Sequence, residues 1–171
     1  MKALEMIKLR TDNNLLKYKT ILGDVVEVEC SFNKPATEQD ITIFEQKNCI
    51  ILPEQYKAFL KYSNGAILFK GTGYDEGGFI LQPLDKLIET TKKYISYGYD
   101  IKEKWIVFAE IFGYSDFLLF DLEYFKAEPR KFIIDGDSGY QSNEWSYING
   151  DFFSWLNRVI ITNGDAYWRW Y

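Results

Sequence analysis

Residues 37–65 hold two helix starts and a helix stop in quick succession, and this punctuation constrains the fold more than any other stretch. Thr37 is suited to cap a helix, and Asp40 three residues later completes a pattern resembling a capping box. Glu38 adds a favourable charge near the positive end of the helix dipole. Ile41, Phe44 and Asn48 follow at helical spacing. Leu52-Pro53-Glu54-Gln55-Tyr56 opens a second helix, with Pro53 at its first position and Leu52 stapled onto Tyr56. Tyr56, Phe59 and Leu60 form its buried stripe. Asn64-Gly65 closes it, Gly65 taking the left-handed position after the last turn.

Extended segments flank these helices. In Asp24–Phe32, Val26, Val28, Cys30 and Phe32 alternate with Glu27, Glu29 and Ser31, the period of a half-buried strand that Pro35 ends. Further strands are expected at Ala66–Phe69, Phe79–Leu81, Trp105–Phe112, Asp116–Leu122 and Lys131–Ile134, with a hairpin around Gly113 and Ser115. Pro83–Tyr97 reads as a helix with Leu84, Leu87, Ile88 and Thr91 on one face. Asp151–Thr162 reads as another, striped by Phe152, Trp155, Leu156, Val159 and Ile160 and stopped by Asn163-Gly164. The closing Tyr167-Trp168-Arg169-Trp170-Tyr171 is too apolar to be left loose. Helices beside a run of antiparallel-type strands imply an α+β fold: a single mixed or mostly antiparallel sheet with helices packed against it.

The chain has 171 residues, the size of one domain. It shows no repeat, low-complexity tract or linker. A chain of this length buries roughly 70% of its unfolded surface and needs no metal or staple. Aromatic residues make up 18% of it, so most must pack, while some of the 13 Tyr and 5 Trp reach the surface as potential interface anchors. Cys30 and Cys49 both sit in apolar patterns and read as buried thiols, which fits a reducing cytoplasm. The N-terminal residues break up their apolar positions with charge, and no run approaches a signal peptide or a membrane span.

The net charge of −5 is unevenly placed: residues 1–104 balance, and residues 105–171 carry 5 Lys/Arg against 10 Asp/Glu. An acidic surface disfavours direct nucleic-acid binding. Two readings stand side by side, a solvated face that aids solubility and a field that speeds encounter with a basic protein.

There is no histidine, which removes Ser-His-Asp and Cys-His nucleophile systems together with the commonest metal ligand. The Gly71–Gly78 loop lacks the Gly-Lys-Ser/Thr ending of a phosphate loop and carries Asp75 and Glu76, so it reads as a turn. Asp135-Gly136-Asp137-Ser138-Gly139 resembles the start of a calcium loop, but its glycine and Glu144 fall at the wrong spacings, and a polar turn accounts for it better. Asp116, Asp121, Glu123 and Glu128 could serve as paired carboxylates by type only. No cofactor or metal site is expected.

The stretch Thr37 to Phe69 resembles the signature of the SUKH superfamily, the Smi/Knr-type proteins. The resemblance is carried by Ala36–Ile41, Phe44-Glu45, Leu52–Leu60 and Asn64-Gly65. It continues through Trp105–Ala109, Phe120-Asp121 and Phe152–Leu156. It runs over roughly residues 36–162, leaving 1–35 as an N-terminal extension with one strand on a single SUKH-like domain. Ala66 departs from the commoner pattern, where a further glycine often follows Asn-Gly. The resemblance implies an α+β fold without enzymatic activity. It also implies, for many bacterial members, an immunity protein that binds and blocks a polymorphic toxin, often a nuclease. No catalytic residue carries over. Glu45 is expected to make a salt bridge within the fold, with an interface role as the other reading.

The expected partner is a cognate toxin, basic in character as a nuclease domain would be, with no direct nucleic-acid or membrane contact. Candidate binding residues are Asp75, Glu76, Tyr114, Asp116, Asp135, Asp137, Tyr140 and Glu144, all in predicted loops or strand ends. The alternative is a housekeeping interaction or small-ligand module that lines a concave apolar site with the aromatic surplus.

Overall fold

Among the described residues, eight strands pair in chain order into one antiparallel meander. They are β1 Leu15–Lys19, β2 Val25–Phe32, β3 Ala66–Gly71, β4 Phe79–Leu81, β5 Trp105–Ile111, β6 Phe117–Asp121, β7 Ile133–Gly136 and β8 Ser146–Ile148. The computed structural model describes residues 2–20, 22–72 and 77–170. Among the described residues, six α-helices accompany the strands: α1 Lys2–Arg10, α2 Glu38–Asn48, α3 Glu54–Leu60, α4 Leu87–Ser96, α5 Tyr124–Ala127 and α6 Phe152–Ile161. The fold is α+β, as expected.

A meander alternates its connections between the two ends of the sheet. Those after β2, β4 and β6 carry α2–α3, α4 and α5 at one end. Those after β1, β3, β5 and β7 lie at the other, here called the hairpin end.

Alternation along the central strands builds two cores. Ile106, Phe108, Leu118, Phe120 and Ile133 join the main core with residues from α1, α2, α3 and α6. Trp105, Val107, Phe117, Leu119 and Ile134 point the opposite way, into a second cluster with Tyr94 and Ile101. Helix α4 bridges the two. It packs beside β5 where the short β4 has ended, and Thr91 Oγ1 accepts from the Val107 amide at 3.0 Å. The aromatic surplus fills these interiors. Phe108 stacks on Phe120 with centroids 3.9 Å apart, and Tyr56, Phe152 and Trp155 meet them edge-on. The fully buried Tyr56 hydroxyl donates to the Gln82 carbonyl at 3.0 Å, and burial pushes its pKa up.

The start of α2 forms as its sequence dictates. The Thr37 side chain accepts from the Asp40 amide at 3.1 Å, and the Asp40 carboxylate accepts from the Thr37 amide at 2.9 Å. Thr37→Ala removes half of this reciprocal cap and is expected to cost about 1 kcal/mol, read as a lower urea midpoint with unchanged slope. Glu45 lies within the fold as the first expectation had it. Its carboxylate accepts from the Leu52 amide at 2.7 Å and pairs with Lys57 at 3.5 Å, fixing the turn between α2 and α3.

Four local expectations need correction. Pro53 is the N-cap of α3 rather than its first helical residue. α3 ends at Leu60, and Gly65 serves the strand that follows: its φ is +85°, and a Cβ there would meet the Leu81 oxygen and Pro83 nitrogen at 2.8 Å. Cys49 is exposed in a left-handed C-cap, and only Cys30 is buried. Residues 2–35 contain a helix and two strands, not one strand.

Candidate functional site

The hairpin end gathers most of the residues selected from sequence. Its connections span 20–24, 72–78, 112–116 and 137–145, and the chain after α6 crosses the same end. Gly164 makes that crossing possible: at φ +95°, a Cβ would sit 2.4 Å from Phe69 Cβ. Trp168 then packs against Phe79 and Trp155, and Arg169 reaches the ends of β6 and β7.

Arg169 organises this end. Its Nε and Nη2 donate to the two oxygens of Asp135 at 2.7 and 2.6 Å, a bidentate pair. Its Nη1 donates to Asp116 at 2.6 Å, and Asp137 lies 3.8 Å away. Trp168 Nε1 adds a donor to Asp135 at 2.8 Å, and the Ser138 amide and hydroxyl donate to Asp116 at 2.9 and 2.6 Å. Burial would raise the Asp116 carboxyl, but the bonds from Ser138 and Arg169 outweigh it and hold it below the usual range. The Arg169 guanidinium is held protonated above its ordinary value, first by Asp135 and against the opposing effect of burial.

Asp116 and Asp135 are therefore not the open docking carboxylates expected from sequence. Their side chains are each only 7% exposed and are committed to Arg169. Asp75 and Glu76 lie outside the described residues. The other four candidates do come together on two adjacent connections, which the Ser138–Asp116 bonds tie to each other. Tyr114 is 55% exposed and Tyr140 58%. Asp137 is half-buried and Glu144 exposed.

The loop bearing Asp137, Tyr140 and Glu144 is fixed by its own side chains. Asp137 accepts from the Gly139 amide at 2.8 Å, Glu144 from the Gln141 amide at 3.1 Å, and the Asp137 carbonyl from Trp145 Nε1 at 2.9 Å. Two hollows flank the Arg169 cluster. One of about 310 Å³ is lined by Tyr114, Asp165 and Arg169, and one of about 130 Å³ by Asp137, Tyr140, Glu144 and Trp145.

Sequence reasoning missed Arg169 and Asp165. A signal for Arg169 was present: it is one cation set between two tryptophans, in a third of the chain where carboxylates outnumber bases two to one. Aspartates that alternate into a sheet interior require such a partner.

A single antiparallel meander with helices on one set of its connections defines an α+β domain. The chain belongs to the SMI1 / KNR4 family (SUKH-1), whose family model matches residues 35–158. It is also similar to "Uncharacterized protein YobM" of Bacillus subtilis (strain 168), at 30% identity over 157 residues, covering 86% of this chain and 78% of that protein. Among the described residues, no helix is long and apolar enough to cross a membrane.

Proposed function

We propose that this chain is a non-enzymatic protein-binding domain of the cytoplasm that acts as an immunity protein, holding a cognate toxin against its hairpin end. The observation that carries the reading is the pair of exposed tyrosines, Tyr114 and Tyr140, set among Asp137, Glu144 and Asp165 on loops that Arg169 and Ser138 tie down. Family membership supports it, and so does the absence of histidine from the sequence.

Each element has a physical part in such a complex. Carboxylates at the rim attract a basic surface, such as that of a nuclease domain, and raise the association rate. Tyrosines offer large contact area at the cost of ordering two side-chain torsions. Loops that are already ordered lose little further entropy on docking, which favours slow dissociation. The toxin would be blocked by occlusion of its working surface, with no bond made or broken.

The direct experiment is co-expression with the toxin encoded by the adjacent gene. Cells carrying both genes are expected to survive, and the two proteins to purify together. Continued killing with no co-purified complex would refute the proposal. In a purified complex, Asp137→Asn with Glu144→Gln keeps the loop-capping geometry while removing charge. The pair is expected to slow association and flatten its salt dependence, with little change in dissociation rate, as read by stopped-flow mixing at several ionic strengths.

A further inference from the structure

We infer that Ser138 is the positioning residue of the hairpin end: it joins the connection that carries Tyr114 to the one that carries Tyr140, so that both tyrosines meet a partner at a fixed spacing, a role that rests on the reading of this end as the binding face. One carboxylate makes the joint, with its two oxygens put to separate uses. Asp116 Oδ2 accepts from Arg169 Nη1 at 2.6 Å and ties the C-terminal segment to the sheet. Asp116 Oδ1 accepts from both the amide and the hydroxyl of Ser138, at 2.9 and 2.6 Å, and ties one loop to the other.

The sheet itself does not hold these loops together. The β6–β7 ladder ends at the pair Phe117 and Gly136, and the two connections leave it there. Gly136 lets the departing chain cross close over β6: a Cβ on it would stand 2.7 Å from the Phe117 ring and 2.8 Å from the Phe117 carbonyl oxygen. Ser138 comes two residues later and turns back onto Asp116, the residue just before β6. Among the described residues, these two bonds are the only hydrogen bonds that directly join residues 112–116 to residues 137–145. Tyr114 precedes Asp116 by two residues and Tyr140 follows Ser138 by two, so each tyrosine stands beside the joint.

The other bonds of the 137–145 connection hold its own shape or point elsewhere. Asp137 with Gly139 and Glu144 with Gln141 lie within it, and the Trp145 indole closes it onto the Asp137 carbonyl. Ser142 reaches Asp100 at 3.4 Å, and the Trp145 ring packs on Phe117 and Tyr99, which seats the base of the loop on the second core. None of these fixes the loop against Tyr114. Arg169 touches both sides, but from a third segment of the chain.

The fold has little need of the Ser138 hydroxyl. The residue is exposed, and without that hydroxyl Asp116 still has Arg169 and the Ser138 amide as donors. Its removal therefore leaves no buried carboxylate unpaired, unlike the removal of Arg169. What goes is a short charge-assisted bond that positions a loop. A loop freed in the unbound chain must be ordered again in the complex, and that cost appears mainly as faster dissociation.

Nuclear magnetic relaxation of the free full chain is the first test. Backbone order parameters of residues 113–115 and 138–144 are expected near the rigid value of about 0.85 in the wild type and in Ser138→Thr, and to fall toward about 0.6 in both connections of Ser138→Ala. Melting of Ser138→Ala should drop by no more than about 4 °C, with the strand resonances in place. Stopped-flow mixing with the proposed cognate toxin should show dissociation about tenfold faster for Ser138→Ala and restored by Ser138→Thr, with association rate and salt dependence unchanged. That is the opposite split from Asp137→Asn/Glu144→Gln. Unchanged order parameters in Ser138→Ala, a fall confined to one connection, or no recovery in Ser138→Thr would overturn the role. So would slower association of Ser138→Ala at an unchanged dissociation rate. The relaxation experiment uses no toxin, so it decides the role of Ser138 even where the wild-type chain binds none, the result that counts against the toxin reading instead.

Discussion

Arg169→Ala is expected to destabilise the fold by about 3 kcal/mol, at the lower end of the range for breaking a buried ion pair because the guanidinium is 29% exposed. The loss comes less from the attraction removed than from what remains. Asp116 and Asp135 keep their places at the ends of β6 and β7 with 7% of each side chain exposed, and lose their counter-charge. The C-terminal segment also loses its anchor to those strands, leaving Trp168 to hold it through Phe79 and Trp155. Urea denaturation of the wild type and the variant at neutral pH reads the effect directly.

Acid provides a second reading of the same cluster. The native Asp116 carboxyl lies below its unfolded value of about 3.9, so its contribution to stability is complete above that value and disappears as pH falls through the native one. The stability gap between wild type and Arg169→Ala is therefore expected to narrow in acid, since what Arg169 contributes to the ionised Asp116 is lost once that carboxyl is protonated. Asp116→Asn/Asp135→Asn, added to Arg169→Ala, should recover part of the loss at neutral pH. A gap that stays constant from pH 7 to pH 3 would contradict the assignment of Arg169 as the counter-charge.

The second large effect concerns binding and leaves the fold alone. Truncating a central aromatic anchor typically costs ~2 kcal/mol or more, about 30-fold in affinity. Tyr114 and Tyr140 lie on separate connections, so their losses should roughly add, and Tyr114→Ala/Tyr140→Ala is expected to weaken the toxin complex by about 10³-fold. Both side chains are more than half exposed, so the double variant should keep its melting temperature. A variant that binds poorly and also melts early would indicate a structural role for one of the tyrosines.

Much of the fold is legible in the sequence because it is locally encoded. The Thr37–Asp40 cap, the alternation of β2 and the stripe of α6 are each set by residues a few positions apart. α1 was not legible: only Leu4 and Ile7 are buried along it, while Met6 and Leu9 stay in solvent, so its apolar positions trace no clean stripe. β1 and β8 are edge strands of five and three residues, too short for periodicity to declare them. The end of α3 was misread because Asn64-Gly65 looks like a helix stop, while the close approach of Leu81 and Pro83 is what requires the glycine.

The candidate site divides along the same line. Tyr114, Tyr140 and Glu144 could be placed in loops because turn residues mark those loops. The burial of Asp116 and Asp135 could not, because it depends on a cation 53 and 34 residues further along the chain. Nothing local distinguishes an aspartate that faces solvent from one that faces a distant arginine.

The most direct measurement is titration calorimetry of this chain against the proposed cognate toxin, should its neighbouring gene encode one, beside that of Tyr114→Ala/Tyr140→Ala. The account predicts saturable one-to-one binding by the wild type and a loss on the order of 10³-fold in the variant. Equal affinities in the two, or no heat of binding from the wild type, would contradict the claim that the hairpin end is where this protein works.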